Sequence, residues 1–281
     1  KSVTEEQARV DYDLLINMPS EPISYSDQIR PILNQRCVVC HGCYDAPCQL
    51  KLSSMEGLQR GANPTKVYDG ARIRGIEPTR IFIDAKSPEE WREKGFHSVL
   101  NEGGGEAKQN LDDSVLYQML RLKQLHPQPR VGKLPEEFDI SLDRAQSCTT
   151  AAGFSEFAKE HPLWGMPYAM PNLSDEEYRL LVQWIAQGAE GSDISEPSAE
   201  AMLQIKRWES FLNGKELKQQ LVSRYLYEHL FNAHIHFKGT SEREFYQLVR
   251  SRTAPGQPVD IITTPRAFDD PGSEFYYRLV R

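Results

Sequence analysis

The stretch Cys37-Val38-Val39-Cys40-His41 decides the fold. Its C-x-x-C-H spacing is typical of covalent attachment of a c-type heme. Two thiols one helical turn apart reach the two vinyl groups of one porphyrin, and the adjacent histidine then faces the iron. A chance match in a chain of 281 residues is rare, on the order of one in a thousand. The stretch therefore predicts heme c held by Cys37, Cys40 and His41, in an oxidising compartment outside the cytoplasm.

The neighbouring Cys43 and Cys48 leave two other metal sites open. The C-x2-C-x2-C-x4-C spacing is close to a ferredoxin-type iron-sulfur run, although the last gap is one residue too long and Pro47 precedes Cys48. A four-cysteine zinc site is the other alternative, but zinc ribbons usually take their cysteine pairs from distant segments. If heme uses Cys37 and Cys40, the sequence permits a disulfide from Cys48 to Cys43 or to Cys148.

A second segment, residues 165–177, predicts the other axial ligand. A Met-Pro loop that leads into a capped amphipathic helix is similar to the sixth-ligand region of class I cytochromes c. Met166 fits the spacing because it lies eight residues before the helix-capping Ser174. Met170 is the second choice. The alternative is that both methionines fill gaps in the core.

The bulk composition excludes some classes of function. A net charge of −7 and a mean hydropathy of −0.57 describe an acidic chain that gains nothing from counterion release, so nucleic acid is excluded as a partner. The sequence contains no apolar run of the roughly 18 residues that a membrane span requires.

Hydrophobic periodicity predicts a mainly α protein. We expect helices over 24–36, 112–125, 175–187, 201–213 and 215–231, the third opened by a capping box of Ser174 and Glu177 and closed by Gly188. Residues 1–190 are predicted to form a class I cytochrome c-like domain with long loop insertions. Residues 191–200 form a linker, and residues 201–281 begin a second, helix-rich domain that is incomplete, since the abrupt ends indicate the front part of a longer protein.

The remaining histidines are expected to be ordinary surface or core residues, because no carboxylates or thiols converge on them in the sequence. They are His97, His126, His161, His229, His234 and His236.

Several stretches together resemble the fatty acid cis/trans isomerase family. They are residues 36–52, 69–72, 165–168, 207–213 and 227–234. The resemblance implies a periplasmic heme c enzyme of Gram-negative bacteria that converts cis double bonds of unsaturated fatty acids into trans, without ATP or nicotinamide. Cys37, Cys40 and His41 carry over as heme residues.

The implied partners are an unsaturated fatty acid or a phospholipid acyl chain, with peripheral membrane contact. Two catalytic hypotheses follow: Met166 leaves the iron so that the double bond approaches the open position, or a thiyl radical from a free Cys148 adds reversibly to the double bond. The alternative function is an electron-transfer cytochrome that serves a separate partner or catalytic domain.

Overall fold

The computed structural model describes residues 13–67, 77–128, 131–141, 144–192, 196–241 and 244–281. The described residues are mostly helical, which confirms the prediction of a mainly α protein. The chain forms two compact units: residues 1–76 with 85–193, and residues 77–84 with 194–281. The domain division predicted at residues 191–200 stays a prediction. Within the described ranges, no helix has the length and hydropathy needed to span a membrane.

The first unit is built from short helices. A π-helical turn over Tyr25–Ile29 runs into the first of them, and a 3-10 turn covers Pro47–Gln49. The α-helices are α1 (Arg30–Arg36), α2 (Val38–His41), α3 (Met55–Arg60), α4 (Pro88–Glu93), α5 (Ala107–Asp112), α6 (Val115–Leu125), α7 (Phe154–Glu160) and α8 (Asp175–Ala186).

Helix α8 lies at the centre of this unit's core. Its capping box forms as predicted: the Ser174 hydroxyl accepts from the Glu177 amide, and the Glu177 carboxylate accepts from the Ser174 amide. The ring of Trp184 on α8 lies 5.8 Å from the ring of Tyr25. Both aromatic side chains are almost fully buried. The start and the end of the first unit therefore share one core.

The helix predicted over 112–125 begins later than expected. Asp113 ends α5, and the Ser114 hydroxyl accepts from the Tyr117 amide as the N-cap of α6. A serine whose hydroxyl takes an orphan amide of the first turn starts a new helix instead of continuing the old one.

The second unit combines two helices with a two-stranded sheet. Helices α9 (Ala199–Leu212) and α10 (Leu217–Leu230) precede strands β1 (Gln247–Ser251) and β2 (Tyr276–Val280). The strands are antiparallel, with Gln247 opposite Val280 and Ser251 opposite Tyr276. Glu209 of α9 accepts from the guanidinium of Arg278 at 2.9 Å, and both side chains are buried. This ion pair fixes α9 to β2.

Candidate functional site

The C-x-x-C-H motif lies where α1 ends and α2 begins. The Cys37 amide donates to Leu33 at 2.9 Å, and its φ of −123° breaks the helix between α1 and α2. The His41 amide then donates back to the Cys37 carbonyl at 3.0 Å. The structure therefore brings Cys37, Cys40 and His41 together on one helical turn.

The two motif cysteines have free thiols in different surroundings. Cys37 is half-buried and packs against the core, whereas Cys40 is exposed. Burial raises the pKa of the Cys37 thiol to about 12. The Cys37 side chain is thus a protonated thiol at neutral pH, not a thiolate nucleophile.

His41 is buried and held in one orientation. Its side chain is 8% exposed, and its Nδ1 lies 3.0 Å from the Leu50 carbonyl oxygen. A carbonyl only accepts, so Nδ1 carries the proton and Nε2 keeps its lone pair. Among the described residues, Nε2 has no hydrogen-bond partner. Burial lowers the pKa of His41, and the hydrogen bond to Leu50 opposes that shift only in part. The lowered pKa favours the neutral imidazole, which is the form that metals bind.

Strained backbone presents Leu50 to His41. Cys48 and Gln49 both have positive φ, 54° and 50°, a conformation that costs a non-glycine residue roughly 1–3 kcal/mol. The guanidinium of the buried Arg60 donates to the Gln49 carbonyl. Hydrogen bonds such as this one hold residues 48 and 49 in the strained conformation.

A disulfide fixes the same segment from the other side. Cys48 is bonded to Cys148, with 5.7 Å between their Cα atoms. The sequence permitted a disulfide from Cys48 to either Cys43 or Cys148, and the structure shows the second. It also removes Cys48 from any four-cysteine set, which contradicts the iron-sulfur and zinc alternatives. The hypothesis of a catalytic free thiol at Cys148 is wrong for the same reason, since its sulfur is bonded.

Met166 lies in the segment between α7 and α8, residues 161–174, which we call the Met166 loop. Its amide donates to the Met119 carbonyl of α6 at 3.0 Å. At the preceding Gly165, an added Cβ would lie 2.2 Å from the Lys123 amide nitrogen, so only glycine permits this approach. Met166 and Met170 are both half-buried.

An ion pair links the motif to the helix that follows the Met166 loop. Arg36, adjacent to Cys37, donates to Glu177 of α8 at 2.8 and 3.1 Å. Burial alone would raise the pKa of Glu177, but the hydrogen bonds from Arg36 and from the Ser174 amide outweigh it and lower the pKa. The carboxylate is therefore held in its charged form.

The other histidines make local contacts. The His97 side chain lies 3.0 Å from the Thr149 carbonyl, His161 stacks on Trp164 at 4.0 Å, and His126 caps the end of α6. His229 and His236 contact backbone carbonyls within the second unit. Across the described ranges, no three His, Cys, Asp or Glu side chains are grouped to hold a metal ion.

Sequence reasoning missed two features of the first unit. The first is the Leu50 carbonyl that orients His41; as a backbone group, this carbonyl leaves no signal in the sequence of side chains. The second is Arg144, whose guanidinium lies against the rings of Trp164 and Tyr168. The predicted stretch 69–72 lies outside the described residues.

Comparison with known families identifies the class of protein. A family model described as "Fatty acid cis/trans isomerase (CTI)" matches residues 76–281. No curated protein and no solved structure matches the chain significantly. The match covers more than half of the chain, so the chain belongs to the fatty acid cis/trans isomerase family. Membership supports isomerase activity on fatty acids.

Proposed function

We propose that the protein is a periplasmic, heme c-dependent isomerase that converts cis double bonds of unsaturated acyl chains into trans. In this proposal the first unit is a cytochrome c-like domain. The observation that carries it is His41: a buried imidazole, adjacent to Cys40, whose Nδ1 is engaged by Leu50 and whose Nε2 is left to bind.

The residues present fit a covalent heme. Cys37 and Cys40 have free thiols one turn apart, and the His41 tautomer is the one that binds iron through Nε2. Met166 would supply a second protein ligand to the iron, and Met170 is the second choice. When bound, heme c supplies an iron that changes oxidation state by one electron.

The chain's own residues orient the ligand and limit its motion. The Leu52 amide donates to the His41 carbonyl at 2.8 Å, so backbone bonds hold both ends of this residue. The disulfide at Cys48 and the ion pair from Arg36 to Glu177 brace the segments on either side. Such bracing fixes the position of the ligand, and the bond from Nδ1 to the Leu50 carbonyl raises its basicity.

An exposed apolar stripe on α10 supports peripheral contact with lipid. Leu217, Leu221 and Tyr225 follow one another at every fourth residue and are 83%, 70% and 58% exposed. The basic residue Lys218 lies on the same helix, where Arg224 is paired with Glu228. Apolar side chains flanked by cations are typical of helices that lie in a membrane interface. The proposed substrate is a free fatty acid or a phospholipid acyl chain, in line with the family description.

The decisive experiment measures heme and product on the same full-chain preparation. We expect a c-type pyridine hemochrome spectrum, and trans product by gas chromatography after incubation with a cis-unsaturated fatty acid. His41→Ala should abolish product formation, whereas Cys43→Ala, which changes an exposed thiol outside the motif, should leave it intact. Heme without trans product would favour the electron-transfer alternative, and product without heme would contradict heme dependence.

The oxidising compartment is tested separately. The disulfide between Cys48 and Cys148 supports export, because such bonds rarely persist in the cytoplasm. Cell fractionation followed by thiol trapping should find the protein in the periplasm with this pair oxidised. A cytoplasmic protein with reduced Cys48 would contradict the proposed localisation.

A further inference from the structure

A cation sits in an aromatic clamp beside the Met166 loop. The guanidinium carbon of Arg144 lies 3.7 Å from the ring centre of Tyr168 and 4.3 Å from that of Trp164. Both rings belong to the Met166 loop, and Tyr168 is two residues from Met166. Stacking on two rings holds the plane of the guanidinium and leaves its edge to bind.

The nitrogen atoms of this guanidinium have no hydrogen-bond partner within the described part of the chain. The Nε of Arg144 is buried and has no hydrogen-bond partner there. Among the described residues, no carboxylate lies within ion-pair distance of Arg144. Asp139 acts on it only through its charge and is itself bonded to the hydroxyl and amide of Ser141. A buried charged donor without a partner is costly, so a native protein usually supplies one.

A second buried cation reinforces the positive potential. Lys123 is 2% exposed, and its ammonium donates to the neutral Gln128 side chain at 2.8 Å. The ammonium lies 5.5 Å from the ring of Phe138, which in turn lies 5.4 Å from the ring of Tyr168. Arg144 and Lys123 therefore flank one pair of aromatic rings.

We propose that Arg144, clamped by Tyr168 and Trp164, binds a carboxylate group. The two terminal nitrogens of a guanidinium match the two oxygens of a carboxylate in a bidentate pair, and those of Arg144 are not enclosed as its Nε is. Two carboxylates fit the proposed function: a heme propionate, or the head of a free fatty acid substrate. The site itself rests on the geometry of Arg144, whereas the identity of its ligand rests on the proposed function.

Ligand binding tests the fatty acid as the source. Isothermal titration of the full-chain holoprotein compares oleic acid with its methyl ester, which lacks the charge. If Arg144 takes the substrate head, the acid binds about ten- to a hundredfold more tightly than the ester. Arg144→Gln should remove that preference, and Arg144→Lys should restore it in part. Arg179→Gln, on the surface of α8, is the matched control and should keep it.

The reduction potential tests the propionate as the source. If Arg144 pairs with a propionate, Arg144→Gln should change the pH dependence of the heme potential and leave the preference for acid over ester unchanged. Circular dichroism must show that each variant is folded. If Arg144→Gln does not fold, the same measurements are made on Arg144→Lys. This variant keeps the positive charge but loses the planar guanidinium, so both readouts should lie between those of the wild type and those expected for a complete loss of the site.

A folded variant at Arg144 that retains both the wild-type preference for acid and the wild-type pH dependence of the potential would overturn the proposal. Failure of the proposed function is distinguishable from this result. A chain that forms no trans product but still loses its preference for acid in Arg144→Gln has the carboxylate site without the isomerase.

Discussion

Replacing both Cys48 and Cys148 by alanine is expected to lower the free energy of unfolding of the first unit by about 2–5 kcal/mol. The bond joins residues 100 apart in the sequence, and the chain-entropy model gives roughly 4.7 kcal/mol for a loop of that length. The measured value should fall below this, because the unfolded chain retains residual contacts.

The same change should loosen the support of His41. Cys48 and Gln49 hold a left-handed backbone that the disulfide helps to enforce. Without the bond, this segment can relax and move the Leu50 carbonyl away from Nδ1. We expect faster hydrogen exchange at the Leu52 amide, which donates to the His41 carbonyl.

Urea unfolding measures the free energy for the first unit alone when Trp208 is replaced by phenylalanine. The remaining tryptophans, Trp91, Trp164 and Trp184, all belong to the first unit. Cys43→Ala is the matched control, since its thiol is free and exposed. A loss below about 0.5 kcal/mol in the double variant, or an equal loss in the control, would refute the reasoning from loop closure.

Three further changes probe other parts of the molecule. Glu209→Gln breaks the buried pair with Arg278 and should cost the second unit about 3–5 kcal/mol in urea unfolding. Gly165→Ala forces a Cβ against the Lys123 backbone and should destabilise the first unit by about 1–3 kcal/mol in thermal unfolding. The pKa of Glu177 in the folded protein is lowered from its ordinary value of 4.5. The stability that the Glu177 carboxylate contributes is therefore fully present above pH 4.5 and is lost as the pH falls through the folded pKa. In a pH series of unfolding curves, Glu177→Gln should remove this acid-dependent loss of stability.

Each of these changes has a matched control. Glu228→Gln removes a partly exposed pair with Arg224, Gly103→Ala adds a Cβ that meets only ordinary contact, and Glu176→Gln removes an exposed pair with Arg179. All three should shift stability by less than about 1 kcal/mol. If a control variant loses as much stability as its test variant, the named contact is not the cause of the loss.

The long amphipathic helices were predictable because their signals are local. The Ser174 capping box and the apolar stripe of α8 lie within one segment, and Gly188 takes a φ of +100° just beyond its end, as predicted. Helices α3 and α4 were missed because six residues give too little periodicity, although their N-caps Ser54 and Ser87 were visible signals.

The site was predictable only where chemistry fixes the spacing. The C-x-x-C-H motif indicated Cys37, Cys40 and His41, and the structure places them on one turn. The choice of Cys148 as the partner of Cys48 depends on the folding of the intervening chain, which spacing does not encode. A backbone carbonyl such as that of Leu50 carries no side-chain signal.

The C-x-x-C-H motif and the family match lie in different parts of the chain, yet they meet in one folded unit. The match begins at residue 76, after the motif. The segment before it is joined to matched residues by the disulfide to Cys148, by the ion pair from Arg36 to Glu177 and by a backbone bridge between Ala62 and His97. A chain cut at residue 76 would lose all three connections together with half of the Tyr25–Trp184 contact. Heme content and isomerase activity are therefore properties to be tested on the full chain, because the matched part of the first unit lacks its core partners without the motif segment.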